Sequence, residues 1–392
     1  MIVETPSRPD QVLSMDLTGI RRELRNSSHA PGAIYSSDEI FDLEKKRIFF
    51  KEWLCVARAE EIADPGDYLA ITLIDEPVLL TRNTKGKANC FANVCLHRGV
   101  EVASGSGNGR LFSCPYHAWT YDLDGKLVGA GFMREAIGFD AKSCRLRQLA
   151  CVEWGGWLFV NLDPEAESFE SRAREFIDDL DFLRMGDLKI ASKIVLDLPT
   201  NWKFMVENLL DVYHGRTLHS KTFGKFRSSP EKFPFQHRPR GGTFRTYEAA
   251  PMTPDGKSRF GRMPALADRP DSFSVSAHLA PNLHVIARID QVHPLIMMPT
   301  STSTSRTTIY SLFPEVFFED PDFVSKAKVY EEFIQEVLEE DSLVVRSLQS
   351  ASRSRHFIPG RLSPLEDAIH HVLNDYLDRL SGCAVTPEHS ST

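Results

Sequence analysis

Apolar and polar positions change their spacing along the chain, and this change predicts two kinds of structure in its first half. The stretch SSDEIFDLEKKRIFFKEW places Ser36 three residues before Glu39, which is a capping-box spacing, and then repeats apolar residues at helical intervals. It predicts an amphipathic helix. From about Asp67 to Asn161, short β-rich runs separated by glycine, proline and aspartate predict a small all-β domain.

The pattern after Asp163 is mixed and predicts an α+β second domain. A charged stretch from Glu165 to Leu183 favours helix, strand-like runs return at HLAPNLHVIARI, PLIMMPTS and RTTIYSLF, and helical periodicity runs from Asp322 to Leu380. Lys221 to Asp271 is rich in proline, glycine and arginine and has little periodicity, which is typical of a lid or binding loop.

These changes divide the chain into three segments. We predict an N-terminal segment with its helix over 1–43, an all-β domain over 44–164 and an α+β domain over 165–392. A chain of 392 residues exceeds the usual single-domain length of roughly 100 to 200 residues, so more than one core is expected.

Composition narrows the classes of partner. The formal net charge is -8, which argues against nucleic acid because phosphate binding needs a clustered basic surface. There is no run of about 18 apolar residues and no signal-peptide layout, so no membrane is expected and the cytoplasm is the expected location. Seven cysteines in such a chain do not indicate a disulfide framework.

Two cysteines and two histidines form two short motifs, each with one cysteine followed by one histidine. Cys95 and His97 in CLHRG are followed, after sixteen residues, by Cys114 and His117 in CPYHAW. Thiolate and imidazole bind zinc or iron-sulfur clusters. Each loop here offers one cysteine and one histidine in the same order, so each could give one ligand to each iron of a two-iron cluster. A structural zinc site is the alternative.

A second constellation lies a hundred residues later, in NWKFMVENLLDVYHGRTLH. Asn208, Asp211 and His214 are spaced three apart, so on one helix they would share a face. His219 follows five residues later, and a helix stop at Gly215 would let both imidazoles approach one ion. Taken singly, the pattern around either histidine favours an ordinary core or surface role over that of a metal ligand.

The helix EEFIQEVLEEDSLVVRSLQ offers three carboxylates to that ion. At 100° per residue, Asp341 falls near the middle of the apolar stripe, Glu340 at its edge and Glu339 on the opposite face. A carboxylate aimed into an apolar core is costly unless a charge or a metal compensates it, which favours Asp341 over Glu340 as the third ligand.

The two motifs resemble those of the Rieske non-heme iron ring-hydroxylating oxygenases, alpha subunit, over roughly Glu39 to Leu380. The resemblance implies that one iron of a [2Fe-2S] cluster is bound by the motif cysteines and the other by the motif histidines. It implies an all-β Rieske domain followed by an α+β helix-grip (START-like) domain with a central antiparallel sheet. It also implies mononuclear iron(II) on His214, His219 and Asp341, and for Asp211 a catalytic role as a bridge to a cluster histidine of the neighbouring subunit.

By the same resemblance, the chain is expected to be the terminal oxygenase of a multicomponent system. It would use O2 as co-substrate and hydroxylate a small organic substrate, most simply an aromatic one; the alternative is oxidative N- or O-dealkylation of an aromatic or quaternary amine. Electrons from NAD(P)H would arrive only through a reductase, with or without a ferredoxin, because no G-x-G-x-x-G motif opens a helix. A homotrimer is expected, with or without a small beta subunit.

The sequence says less about the substrate. We expect a pocket lined from around Met205 and Leu209, from the loop 221–271 and from the strands LHVIARI and PLIMMP. The arginines of that loop hint at an anionic aromatic acid. Other histidines could orient a polar substrate, although core or surface roles are favoured: His237, His284 and His293.

Overall fold

Two compact units make up the part of the chain that the computed structural model describes, which comprises 15–226 and 232–382. The first unit consists of Phe49–Ile177 and Asp181–Ile190. The second consists of the described residues of Met1–Ile48, Asp178–Leu180 and Ala191–Thr392. The boundaries expected from sequence remain predictions, because a compact unit need not coincide with an independently folding domain.

The first unit is built from β-strands. Its larger sheet has seven strands in the order β1-β10-β9-β4-β3-β2-β5, and a three-stranded sheet has the order β6-β7-β8. The strands are β1 Leu54–Arg58, β2 Asp67–Leu73, β3 Glu76–Arg82, β4 Ala88–Ala92, β5 Ser106–Asn108, β6 Leu111–Ser113, β7 Thr120–Asp122, β8 Leu127–Gly129, β9 Gln148–Trp154 and β10 Trp157–Asn161. A core cluster that includes Leu79, Phe112, Trp119 and Tyr121 also takes in Cys95 and Cys114, so both motif cysteines are fixed by apolar packing.

The second unit is a seven-stranded sheet with helices. The strand order is β11-β17-β16-β15-β14-β13-β12, and β12 to β17 pair antiparallel. The strands are β11 Leu188–Leu198, β12 Gln236–Arg238, β13 Gly242–Glu248, β14 Phe273–Leu279, β15 Leu283–Ala287, β16 Val292–Ser301 and β17 Thr304–Pro314. The helices of the chain are α1 Asp38–Glu44, α2 Phe169–Arg172, α3 Arg174–Leu180, α4 Trp202–Leu210, α5 Phe323–Ser352 and α6 Asp367–Ser381.

The predicted α+β class, with an all-β first part and a central antiparallel sheet in the second, is confirmed. No helix in the described part of the chain is both long enough and apolar enough to cross a membrane.

Two local expectations need correction. The cap of α1 is Ser37, not Ser36, because the Ser37 hydroxyl accepts a hydrogen bond from the Ile40 N–H. The segment 221–271 is not a continuous loop, because β12 and β13 lie within it. Burial alternates along β13 only from Arg245 to Glu248, and its first four residues are all buried, so the strand carries only a short period-of-two signal.

Hydrogen bonds fix the start of α4 against α5. The Asn201 side chain caps α4 by accepting from the Lys203 N–H, and the Asn201 N–H donates to Gln349 Oε1 at 2.6 Å. The Thr200 hydroxyl donates to the Val345 carbonyl at 3.1 Å. All of these atoms are buried away from competing water, so the two helices are held in one register.

A buried ion pair anchors the back of α4. Glu44 accepts from Lys203 Nζ, from Trp202 Nε1 at 2.9 Å and from the Tyr376 hydroxyl at 2.6 Å. The side chains of Glu44 and Lys203 are 0% and 4% exposed. Burial lowers the pKa of Lys203, and the Glu44 carboxylate opposes that shift only in part. The pair therefore depends on both partners being present.

We expect Lys203→Met to destabilise the protein by about 3–5 kcal/mol, since it leaves the Glu44 carboxylate buried without its cation. Glu44→Gln in the same chain should recover part of that loss. Lys328→Met is the control, because Lys328 pairs with Glu332 at a surface site where both side chains are 67% exposed, and it should cost no more than about 1 kcal/mol. Urea denaturation followed by circular dichroism measures the free energy of unfolding of each variant. Equal losses in Lys203→Met and Lys328→Met would contradict the role given to the buried pair.

Candidate metal centres

Two loops of the first unit have the same backbone hydrogen bonds. In the first loop, residues 95–100, the Cys95 N–H donates to the Val100 carbonyl and the Gly99 N–H donates to the Cys95 carbonyl. In the second loop, residues 114–119, Cys114, Ala118 and Trp119 repeat both bonds at the same offsets. Gly99 and Ala118 occupy equivalent positions with φ of 78° and 53°. Ala118 is unusual there because a side chain disfavours positive φ, so the loop geometry holds it.

The loops bring their four donor side chains together as two pairs. Nδ1 of His97 lies 3.2 Å from Nδ1 of His117, and both rings are exposed. The Cys95 and Cys114 residues are only 2% and 3% exposed. Two buried thiols and two facing imidazole nitrogens fit the ligand set of a two-iron cluster that has cysteine ligands on one iron and histidine ligands on the other.

The zinc alternative needs all four donors around one ion. In 15–226 and 232–382, the one group of three such donors that converges on a point is His214, His219 and Asp341, and the loop donors form no such group. The arrangement therefore favours the cluster.

Tyr121 supports the cysteine side of the first centre. Its hydroxyl lies 3.3 Å from Cys95 Sγ and accepts a hydrogen bond from the Leu96 N–H at 3.0 Å, so its own proton is free to point at the sulfur. Burial alone would raise the pKa of Cys95, but hydrogen bonds from Tyr121 and from the His97 and Arg98 N–H groups outweigh it and lower the pKa. The thiolate that a metal requires is thereby favoured.

The second centre lies where α4 ends. The helix stops at Leu210, and Asp211 is its C-cap with φ of -74° and ψ of 108°. The prediction that Asn208, Asp211 and His214 share one helix is therefore wrong. Asp211 Oδ1 instead accepts the N–H groups of Tyr213 at 2.6 Å and His214 at 3.3 Å, which starts a 3-10 turn at His214.

Gly215 does not act as a helix stop either, because the helix has already ended. A different glycine makes the turn compact: a Cβ on Gly224 would lie 2.4 Å from the Gly215 carbonyl oxygen and 2.6 Å from that of His219. This close backbone approach folds the segment back, so His219 returns to His214.

Asp341 on α5 completes the group. His214 Nε2 lies 3.2 Å from His219 Nε2, and Asp341 Oδ1 lies 3.7 Å and 3.0 Å from those two nitrogens. Ligands at right angles around an ion with bonds of about 2.1 Å would be about 3.0 Å apart. The three donors thus fit one face of a single metal ion, and the chemistry of the set, two imidazoles and a carboxylate, is that of a facial triad.

Each member of this triad has a polar partner that orients it. Asp211 Oδ2 lies 3.0 Å from His214 Nδ1, and Glu340 Oε2 lies 2.7 Å from His219 Nδ1. The Asn208 amide donates to Asp341 Oδ1 at 3.2 Å. A carboxylate that accepts the Nδ1–H of an imidazole fixes the tautomer whose Nε2 lone pair faces the metal.

The carboxylates also shift the proton affinities. Burial would lower the pKa of His219, but hydrogen bonds and charge from Asp341 and Glu340 outweigh it and raise the pKa. For Asp211, burial would raise the pKa, but the His214 side chain and the backbone N–H groups of Tyr213 and His214 lower it. Because a metal ligand must be neutral imidazole, protons and metal compete at His219.

A cavity with about 710 Å³ of empty space, its mouth included, opens beside the triad. Its apolar lining includes Leu209, Ile286, Leu295, Ile334 and Val337. The segment 221–271 and the strands LHVIARI and PLIMMP contribute lining residues, as expected, and so does Leu209 of α4. Met205, which was also expected, is not among the lining residues.

The three histidines that were considered as groups to orient a polar substrate have different surroundings. His293 lines the cavity, whereas His284 is buried with its Nε2 3.1 Å from the Ser276 hydroxyl. His237 stacks on His371 with ring centroids 4.3 Å apart.

Sequence reasoning missed three groups. Glu340 was considered only as a rival ligand, but its position at the edge of the apolar stripe is the signal that it can reach a ligand from the side. Tyr121 carries no spacing signal of its own. Arg245 lines the cavity from β13, where the expectation of a loop hid the strand alternation.

Fold and centres together define a two-unit metalloprotein class with cluster-binding loops and a non-heme metal triad. Family comparison agrees: residues 52–146 match the Rieske [2Fe-2S] domain, and residues 185–382 match the ring hydroxylating alpha subunit, catalytic domain. The chain belongs to the family of ring hydroxylating alpha subunits, which confirms the resemblance drawn from its motifs. The matches imply a Rieske [2Fe-2S] cluster and a mononuclear iron.

Relatives include the carnitine monooxygenase oxygenase subunit of Acinetobacter pittii, 38% identical over 48% of this chain and 52% of that protein. The biphenyl dioxygenase subunit alpha of Metapseudomonas furukawaii is 32% identical over 52% of this chain and 47% of that protein. These alignments span about half the length of the curated relatives.

Solved structures resemble the chain over a longer stretch. A quaternary ammonium Rieske monooxygenase has a TM-score of 0.76 at 25% identity and covers 89% of this chain and 95% of its own. Naphthalene 1,2-dioxygenase from a Rhodococcus species has a TM-score of 0.72 at 19% identity, with coverage of 90% and 94%, which shows a common fold.

We predict that Tyr121→Phe lowers the reduction potential of the cluster by tens of millivolts. A hydrogen bond to a charged group contributes about 1.5–3 kcal/mol, and this one stabilises the reduced, more negative cluster more than the oxidised one. Redox titration followed by EPR measures the potential. Tyr68→Phe is the control, because Tyr68 lies in the same unit and its ring packs edge-on against Phe112. A potential unchanged or raised in Tyr121→Phe would contradict the assignment.

We predict that Glu340→Gln weakens iron binding by about 10- to 100-fold, which is the usual effect of losing a carboxylate that orients a ligating histidine. Glu339→Gln on the exposed side of α5 should leave affinity unchanged. Iron content after dialysis against a competing chelator measures both. Equal retention by the two variants would show that Glu340 does not position His219.

Proposed function

We propose that the protein is the terminal oxygenase of a Rieske system, which hydroxylates a small organic substrate with dioxygen. One observation carries this proposal: a two-histidine, one-carboxylate triad faces a largely apolar cavity in a chain that also carries Rieske loops. A pure electron carrier would need only the loops, and a zinc-stabilised binding protein would not need the triad beside its cavity.

Each group of site residues would have its own role in the reaction. When bound on His214, His219 and Asp341, iron(II) supplies dioxygen activation, and the cluster on the loops supplies electrons one at a time. Glu340 accepts the Nδ1 proton of His219, and Asp211 Oδ2 lies 3.0 Å from His214 Nδ1, so both carboxylates favour the tautomer that leaves Nε2 available as a ligand. The apolar lining excludes water and holds the substrate's carbon skeleton near the triad.

Asp211 is proposed as the route by which electrons arrive. Its side chain is 21% exposed while it contacts His214, and His97 and His117 are exposed on their own unit. A carboxylate can accept hydrogen bonds from two imidazoles at once, so Asp211 could join His214 to a cluster histidine of a neighbouring subunit. Inter-subunit electron transfer is described for the quaternary ammonium Rieske monooxygenase that this chain resembles, which supports the proposal.

The proposed assembly is a homotrimer, with or without a small beta subunit. The proposed electron source is a reductase acting directly or through a ferredoxin, so that NAD(P)H serves the chain only indirectly. We place the protein in the cytoplasm.

Two reaction types remain as candidates. Ring hydroxylation is favoured by the family of the catalytic domain and by relatives such as biphenyl dioxygenase. Oxidative dealkylation of an amine is favoured by relatives named for carnitine and glycine betaine. Oxygen uptake with reductase, screened over aromatic acids, phenolic ethers, N-alkyl amides and a quaternary amine, separates them when the products are identified by mass spectrometry. Failure of every class while the cluster is reduced and iron is bound would overturn the proposal.

We predict that Asp211→Asn slows turnover by orders of magnitude while both metal centres stay occupied. The amide presents an N–H where the carboxylate accepts one, so it cannot accept from two imidazoles at once. Substrate-dependent oxygen uptake gives the rate, while EPR and iron analysis give occupancy. Asp268→Asn, at an exposed position, is the control. Near-normal turnover by Asp211→Asn would contradict the proposed electron route.

A further inference from the structure

One wall of the cavity carries buried polar groups on a sheet face where apolar residues would be expected. The pairing register joins Arg245 to Ser276, Ser276 to Ile286, and Ile286 to His293. Directly paired residues of antiparallel strands point to the same face, so these four form one row across the sheet. All four line the cavity.

Arg288 lies just beyond β15 and lines the same wall. The residue is 4% exposed, and its guanidinium contacts the Tyr247 hydroxyl and lies 3.8 Å from Met252 Sδ. Its Nε is buried without a hydrogen-bond partner. Among the residues that the structure describes, no carboxylate lies within 4.0 Å of it.

The nearest acid in sequence does not neutralise this charge. Asp290 is fully buried, and one of its oxygens accepts a hydrogen bond from the Tyr330 hydroxyl at 2.5 Å. Burial raises the pKa of Asp290 despite that bond and the charge of Arg288, which weakens Asp290 as a counter-charge for the guanidinium. Tyr247 offers no negative charge either, because it contacts the Arg288 guanidinium through a neutral hydroxyl and through its ring, whose centroid lies 5.1 Å away.

A second guanidinium shares that ring. Arg245 lies 4.4 Å from the centroid of Tyr247 and 4.3 Å from that of Phe235. The neighbouring imidazoles add no charge, because burial and the adjacent arginines lower the pKa values of His284 and His293 well below their usual range. The wall therefore has two cations facing the cavity, while the triad with its carboxylate faces the same cavity.

A buried charge is costly unless a counter-charge pairs with it, and guanidinium pairs best with planar oxyanions such as carboxylate. We propose that this wall binds the anionic group of the substrate, so that the substrate is an organic acid. Its carboxylate or sulfonate docks on Arg288 and Arg245, and its apolar skeleton extends along Ile286, Leu295 and Val337 toward the triad. This inference rests on the proposed function and specifies its substrate class.

The same wall disfavours two other classes. A neutral hydrocarbon would leave Arg288 buried without a counter-charge. A purely cationic amine would meet two guanidinium groups, and the ring of Tyr247, which could have received it, is already beside both of them. A zwitterion remains within the proposed class because its anionic end would occupy the wall.

The test is a binding measurement on the intact protein with cluster and iron in place, without reductase. Isothermal titration compares benzoate and benzenesulfonate with benzamide, a neutral analogue of nearly the same shape. We expect wild type to bind the anions about 10-fold or more tighter than benzamide. Arg288→Met should abolish that difference while leaving benzamide binding unchanged, and Arg288→Lys should retain part of it.

Arg306→Met is the matched control, because Arg306 lies on β17 of the same sheet but is exposed and paired with Asp197. It should bind the anions as wild type does. Circular dichroism melting checks that each variant is folded, and Arg288→Lys keeps the test valid if Arg288→Met unfolds. Equal binding of benzoate and benzamide by wild type would overturn the proposal. So would an anion preference that survives Arg288→Met, an equal loss of both ligands in that variant, or no saturable anion binding.

Failure of the inference and failure of the proposed function look different. Saturable anion binding that depends on Arg288, without oxygen uptake once reductase is added, would preserve the anion site and count against the oxygenase. Oxygen uptake on neutral substrates that Arg288→Met does not affect would preserve the oxygenase and count against the anion site.

Discussion

The packing of α4 against α5 is the constraint on which the second centre depends. The two histidines come from a turn after α4, and the carboxylate comes from the middle of α5, so nothing in the local chain brings them together. The hydrogen bond from Asn201 to Gln349 and that from Thr200 to Val345 fix the register of the helices, and Asn208 then meets Asp341 one or two turns further on. A slip of one helical residue, about 1.5 Å of rise, would remove Asp341 from the histidines.

The chain buries charged side chains, which is unfavourable, both behind α4 and beside the cavity. Lys203 and Glu44 bury opposite charges at the back of α4, where the charges satisfy one another. Arg288, by contrast, is buried beside the cavity without a carboxylate in ion-pair contact among the described residues. Proteins tolerate such local costs mainly at functional sites, because the binding of a ligand recovers what folding alone does not.

Much of both centres could be predicted because their ligands follow local rules. The cysteine and histidine spacing depends only on two short loops, and the burial of Asp341 follows from the 100° step of a helix. The ends of α4 and the role of Gly215 were wrong, because Asp211 captures backbone N–H groups and stops the helix before His214. The periodicity of the sequence does not show that the Asp211 carboxylate would take the backbone N–H groups that a continued helix would use.

The role of Glu340 and the position of Arg245 were not predicted, for a related reason. Each depends on which element packs opposite, and that is a tertiary property. Helical phase places Glu340 at the edge of the apolar stripe, but its partners, His219 and Thr222, come from the turn after α4. Arg245 belongs to a strand whose alternation is masked by glycine-rich and proline-rich neighbours.

The central claim is that electrons stored on the loops are consumed at the triad. Single-turnover stopped-flow measurement tests this claim most directly: the cluster is reduced, mixed with dioxygen and an organic acid substrate, and followed by its visible absorbance. We expect that substrate accelerates cluster reoxidation and yields oxygenated product, and that His214→Ala, with its cluster intact, loses both. Reoxidation at the same substrate-dependent rate in His214→Ala would contradict the claim.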